Sequence, residues 1–84
     1  MIHAPSIKDT TTEALSRANH ERTKYELRKR GYSFAQVATR LQVSASAVTA
    51  VSLGTQRSKR IEEEIATLLD QPLEKVFPDR YDAH

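Results

Sequence analysis

The sequence predicts an all-α fold, a single small bundle of four to five helices. Three observations predict it. The 84 residues hold only 2 Gly, 3 Pro and 6% aromatics, too few turn and strand formers for arrays of β-hairpins. Apolar residues recur at i, i+3, i+4 and i+7, as they do along one face of a helix. Helix-capping serines (Ser33, Ser44, Ser58) alternate with stop signals at Gly31, Gly54 and Pro72, which punctuates the chain into helical segments. The length admits one domain, here placed at 11–81, with an N-terminal arm over 1–10 and a tail over 82–84.

The elements follow in order. Residues 1–9 have no periodicity and contain Pro5, so they read as an arm. Thr10 and Glu13 have the spacing of a capping box, which predicts a helix from about Thr11 to Arg30, ended by Gly31; Asn19 offers a second start. Arg28, Lys29 and Arg30 complement the dipole at its end. Phe34, Val37, Ala38 and Leu41 lie on one face of a second helix, begun by Ser33. Ser44 caps a third helix, Ala45 to Leu53, which Gly54 stops. Ser58 caps a fourth, with Ile61, Ile65, Leu68 and Leu69 as its apolar face, and Asp70-Gln71-Pro72 ends it. Pro72 then suits the first position of a last short helix over Leu73 to Val76.

The second and third helices are short and joined by three residues, which suits the steep crossing of a helix-turn-helix. Such a unit makes demands site by site. The fifth site must be small, because the helices cross there, and it is Ala38. The fourth and eighth must be apolar, and they are Val37 and Leu41. The tenth, in the turn, is Val43. The fifteenth and eighteenth anchor the second helix of the unit, and they are Val48 and Val51. All of these sites agree. The ninth needs a positive φ, which Gly adopts freely; here it is Gln42, at a strain of about 1 kcal/mol.

The third helix turns an unusual surface outward. Ala45, Ser46, Thr49, Ala50 and Leu53 are its outward sites, with Ser52 at the flank, and no acidic residue occurs from Val43 to Arg60. A helix facing solvent normally carries Glu and Lys. A small, uncharged helix fits the major groove of double-stranded DNA, about 12 Å wide, where Ala and Thr methyls touch thymine methyls and Ser or Thr hydroxyls meet base edges. Ala45, Ser46, Thr49, Ala50 and Leu53 are thus the expected base-contacting set. Phosphates need donors around them: Ser33, Gln36 and Ser44 at helix N-termini, and Arg57, Ser58 and Lys59 after the third helix. The competing expectation is an interaction module of antitoxin-like or assembly type, with Ala45 to Leu53 buried in another protein. Arg40 is expected to face solvent, and Arg60 either to join the phosphate donors or to face solvent too.

Charge is uneven along the chain. The net charge is +2, with residues 1–42 at +4 and residues 43–84 at −2, which would orient a small protein on a polyanion. The absence of Cys excludes a disulfide framework, a thiolate zinc site and a thiol nucleophile. His3, His20 and His84 are too scattered for a metal cluster, and His20 reads as solvated. Glu62, Glu63 and Glu64 point in different directions on a helix and read as a solvated face. There is no Gly-rich phosphate loop, no recognisable catalytic constellation, no secretory signal and no apolar run of membrane-spanning length. An enzyme, a cofactor and a small-molecule ligand are not expected.

From about Asn19 to Tyr81 the sequence resembles the Ner-like DNA-binding proteins of Mu-like transposable bacteriophages and their bacterial relatives. The likeness rests on Leu27-Arg28-Lys29-Arg30-Gly31-Tyr32-Ser33, on Val37 to Val51, on Ile65-Ala66-Thr67-Leu68-Leu69 and on Val76-Phe77-Pro78-Asp79-Arg80-Tyr81. The resemblance implies a five-helix fold of the lambda-repressor class and a negative regulator of early transcription that binds an operator in the bacterial cytoplasm. It implies a recognition helix over Ala45 to Leu53, with Ser46, Thr49 and Ala50 toward bases and Arg57 and Lys59 on the backbone. It gives Val76, Phe77 and Tyr81 the role of packing the last short helix onto the core. Two half-sites about 34 Å apart call for a homodimer or two copies side by side, assembled on DNA.

Overall fold

The computed structural model describes residues 7–78 and 80–81, with the backbone alone over 7–13. Five helices follow one another: α1 (Ile7–Lys29), α2 (Phe34–Leu41), α3 (Ala45–Leu53), α4 (Lys59–Leu69) and α5 (Leu73–Val76). No strand occurs among the described residues. The all-α expectation holds, and so do the boundaries of the last four helices.

The first helix differs from expectation at its start. It begins at Ile7 and runs without a break, so Thr10 lies within it rather than at its start, and Asn19 starts no second segment. Helical geometry thus reaches into the stretch read as an arm; residues 1–6 and the tail at 82–84 lie outside the described residues. The helix stops where Gly31 takes a φ of 84°. Its inward stripe is His20, Thr23 and Leu27, all buried, at the i, i+3, i+7 spacing of one helical face. This stripe packs α1 across α3 and α4.

Helices α2, α3 and α4 each begin on a serine whose hydroxyl accepts from the amide three residues on. Ser33 accepts from Gln36 at 3.2 Å, Ser44 from Ala47 at 3.1 Å and Ser58 from Ile61 at 3.3 Å. Each such cap is worth about 1 kcal/mol. The helices end on left-handed residues: Gln42 after α2, Gly54 after α3 and Asp70 after α4. That geometry lets an amide beyond the helix bond back to an orphan carbonyl, as Val43 does to Ala38 at 3.0 Å.

The core gathers Leu27, Val37, Ala38, Val48, Val51, Ile61, Ile65, Ala66, Leu69, Val76 and Phe77. Val37, Ala38, Val48 and Val51 are buried, and Leu41 and Val43 pack against them, so all the apolar demands of the helix-turn-helix are met. Val76 and Phe77 close the bottom of the core, with Tyr81 packed beside them. Asn19 and Arg22 of α1 tie α5 down: Asn19 Nδ2 donates to the Val76 carbonyl at 2.9 Å and Arg22 Nη2 to the Lys75 carbonyl at 3.0 Å.

Gln42 takes the positive φ the turn requires, with φ 59° and ψ 44°. Its side chain is exposed, so replacing it with Gly removes no buried packing. Relief of about 1–2 kcal/mol of left-handed strain outweighs the roughly 0.5–1 kcal/mol entropic penalty of a Gly. Gln42→Gly is therefore expected to stabilise the domain by about 0.5–1 kcal/mol, read as a raised urea midpoint at unchanged slope. A lowered midpoint would mean that the strain is relieved elsewhere.

Candidate nucleic-acid interface

The outward ridge of α3 forms as the sequence predicts. Ala45 and Ser46 are exposed, and Thr49, Ala50 and Leu53 are half-buried beside them. The opposite face holds the helix down through Val48, Val51 and Ser52, all with no exposure. Ser52 belongs to this inner face rather than to the flank.

The capping serines beside the ridge spend one hydroxyl acceptor each on their own helices. Ser44 Oγ also lies 3.2 Å from Ser46 Oγ. Ser33, Gln36 and Ser44 are exposed. Capping at the third amide leaves the first two amides of α2 (Phe34, Ala35) and of α3 (Ala45, Ser46) unclaimed among the described residues. Free amides at a helix N-terminus suit an anion. After α3 come Arg57 and Lys59, both exposed, and Ser58, half-buried at the start of α4. Arg57 does not hang free. Its Nε donates to Glu62 Oε2 at 3.1 Å and its Nη2 to Tyr81 Oη at 3.4 Å. Those bonds raise its pKa further, the Tyr81 hydroxyl first and the Glu62 charge second. Arg80 Nη2 donates to the Ser52 carbonyl at 2.8 Å, on the last turn of α3.

Four side chains make contacts that their sequence reading did not include, although Arg40 and Arg60 stay exposed. Glu62 is not part of a solvated face; its relative exposure is 0%, and Arg57, Arg80 and Tyr81 surround it. The signal was present, because Glu62 shares the helical stripe of Ile61, Ile65, Ala66 and Leu69. Arg40 is largely exposed but pairs with Glu64 at 2.7 Å, which ties α2 to α4. Arg60 Nη2 donates to the Leu41 carbonyl at 2.9 Å and so satisfies an orphan acceptor at the end of α2.

His20 is the fourth. It is buried rather than solvated, because α3 and α2 close over it. Its Nδ1 lies 2.8 Å from Ser52 Oγ, and its ring stacks on Phe34 with centroids 5.3 Å apart. Burial pushes its pKa below the ordinary imidazole value, with Glu21 opposing and Lys24 reinforcing. The folded state then binds a proton less readily than the unfolded chain. The stabilising effect of neutral His20 is complete above the unfolded pKa of about 6.5 and is lost as pH falls below it. The melting temperature is expected to fall from pH 7.5 to pH 5 by more in the wild type than in His20→Gln. Parallel pH profiles for the two would show that His20 takes no part.

From Leu27 to Ile61 the sequence contains no Asp or Glu, whereas Arg28, Lys29, Arg30, Arg40, Arg57, Lys59 and Arg60 fall within it. The helix-turn-helix therefore sits in a stretch without fixed negative charge, the electrostatic setting that a polyanion needs.

The sequence profile of a winged helix-turn-helix DNA-binding family matches residues 18–84. The chain belongs to that family. It binds DNA through its helix-turn-helix, α2 and α3. In this member of the family α4 and α5 follow the motif, and no strand that would form a wing occurs among the described residues. No curated protein and no solved structure gives a comparable match. No helix among the described residues is long and apolar enough to cross a membrane. Nor do three or more His, Cys, Asp or Glu side chains gather there as a metal site.

Proposed function

We propose that this protein is a sequence-specific regulator of transcription that occupies an operator in double-stranded DNA. Its resemblance to the Ner-like proteins supports reading it as a phage or prophage repressor of early genes. The observation that carries the reading is the outward ridge of α3, uncharged and made of small residues, in a family that binds DNA. Ala45, Ser46, Thr49, Ala50 and Leu53 meet base edges. Ser33, Gln36, Ser44, Arg57, Ser58 and Lys59 meet phosphates, the first three beside free amides of α2 and α3.

One copy covers one half-site, because α3 is a single recognition helix of nine residues. Two copies bind half-sites about 34 Å apart on one face of the duplex. The test is selection of bound duplexes from a random pool, followed by titration of the winning site against salt. The reading expects a recurring, two-part site and a steep fall of log K with log[salt]. A pool that enriches no sequence sinks the operator reading. An α3 protected from amide exchange in a free oligomer, with no salt-dependent DNA binding, points instead to an interaction module.

A further inference from the structure

Glu62 is a carboxylate with no exposure in a domain that binds a polyanion. Burying a charge is expensive unless it is paired and hydrogen-bonded. Three side chains converge on it. Arg80 Nη1 donates to Oε2 at 2.9 Å, Arg57 Nε donates to the same oxygen at 3.1 Å, and the Tyr81 hydroxyl donates to Oε1. That hydroxyl's bond to Glu62 raises the Tyr81 pKa, with burial adding to it.

The two arginines are placed differently. The Arg80 side chain is 6% exposed, whereas that of Arg57 is 58% exposed. Arg80 stacks on the Phe77 ring at 4.5 Å and forms the buried half of the pair with Glu62. Arg57 is the outer member, with its guanidinium carbon 5.6 Å from the centre of the Tyr81 ring. Glu62 is thus paired from the buried side by Arg80 and from the exposed side by Arg57. Its bonds to Glu62 and Tyr81 use Nε and Nη2 and leave Nη1 without a partner among the described residues. The loop that carries it folds back on α3, because the Thr55 and Gln56 amides donate to the Ala50 carbonyl at 3.0 and 3.3 Å. Arg57 therefore stands at the C-terminal end of the recognition helix.

We propose that Glu62 and Tyr81 are positioning residues that hold the Arg57 guanidinium ready to clamp a DNA phosphate, while Arg80 neutralises Glu62 so that Arg57 keeps its charge for the DNA. The proposal rests on the reading of Arg57 as a phosphate contact. A guanidinium already held in one pose loses less side-chain freedom on binding, and its planar fork suits a phosphate.

The test uses the full chain, a selected duplex and plots of log K against log[salt]. The wild type comes first: if its affinity for that duplex ignores salt, the reading of Arg57 as a phosphate contact fails along with the proposal. With a steep wild-type slope, Arg57→Ala should reduce that slope by about 0.9. An unchanged slope means that Arg57 meets no phosphate, and the proposal falls while DNA binding stands. Tyr81→Phe keeps the ring and removes the hydroxyl. It should weaken binding about three- to tenfold in the wild-type background and add nothing in the Arg57→Ala background. Equal losses in both backgrounds, or no loss in either, overturn the proposal, because a merely structural tyrosine acts regardless of Arg57. Arg57→Lys is a further check, made with its melting temperature read alongside because Arg57 also bonds to the buried Glu62. Lys keeps the charge but lacks the fork, so it should also bind about three- to tenfold more weakly, and wild-type affinity in Arg57→Lys counts against the proposal.

Discussion

Thr49→Glu is expected to weaken binding to a selected duplex by at least about a hundredfold, or roughly 2.7 kcal/mol, while the fold stays intact. Thr49 lies half-buried on the outward side of α3, between Ser46 and Leu53 and opposite the inner anchors Val48 and Val51. A carboxylate there meets the negative field of the DNA and has no cation of its own helix to pair with, since α3 carries no charged residue. Glu is also a better helix former than Thr, so the melting temperature should hold. Thr49→Lys is the control: it adds bulk at the same place with the opposite charge, and it should relax sequence preference while keeping overall affinity for DNA. Gel-shift or anisotropy titrations at fixed salt read both. Binding by Thr49→Glu within threefold of the wild type would remove this face of α3 from the interface.

The second large effect concerns stability. Phe77→Ala should cost about 3–5 kcal/mol, a large part of the roughly 5–15 kcal/mol that holds a domain together. Phe77 is the bulkiest fully buried side chain among the described residues and lies just after α5, packed into the common core. Its ring also seats Arg80, and Arg80 compensates Glu62, so the loss spreads from an apolar cavity into the buried ion pair. The melting temperature should drop by roughly 12 °C or more, seen by circular dichroism. A drop of only a few degrees would show that the α5 turn is dispensable to the core.

The helix-turn-helix was legible in the sequence because its requirements are local. Ala38 is small where helices cross, Val48 and Val51 are apolar where α3 turns inward, and Ser33, Ser44 and Ser58 stand where helices begin. Gln42 was legible as well, since the spacing demanded a left-handed residue whatever its identity. The polar interior was not legible. Glu62 bonds to Arg80, which lies 18 residues away, and His20 bonds to Ser52, which lies 32 residues away. Nothing local distinguishes a charged residue that meets a distant partner from one that meets water. The start of α1 was misplaced for another reason: Thr10 and Glu13 have the spacing of a cap, yet the helix extends back to Ile7. Of the interface, the ridge of α3 follows from periodicity, whereas the pose of Arg57 depends on Tyr81, 24 residues on.

Ser52 is gripped from two directions, by His20 on its hydroxyl and by Arg80 on its carbonyl. Next to it, Arg80 Nη2 lies 3.1 Å from where a side chain at Gly54 would begin. Every one of these grips is on the inward side of α3. The mounting of the helix and its outward ridge are therefore separate sets of residues, and one can be rewritten without the other. A library randomised at positions 45, 46 and 49 should yield mostly folded clones with new target preferences. The same diversity at 52 or 54 should yield mostly clones that do not fold. The domain is in this sense a socket with an exchangeable bit, open to retargeting by changes too small to disturb its frame.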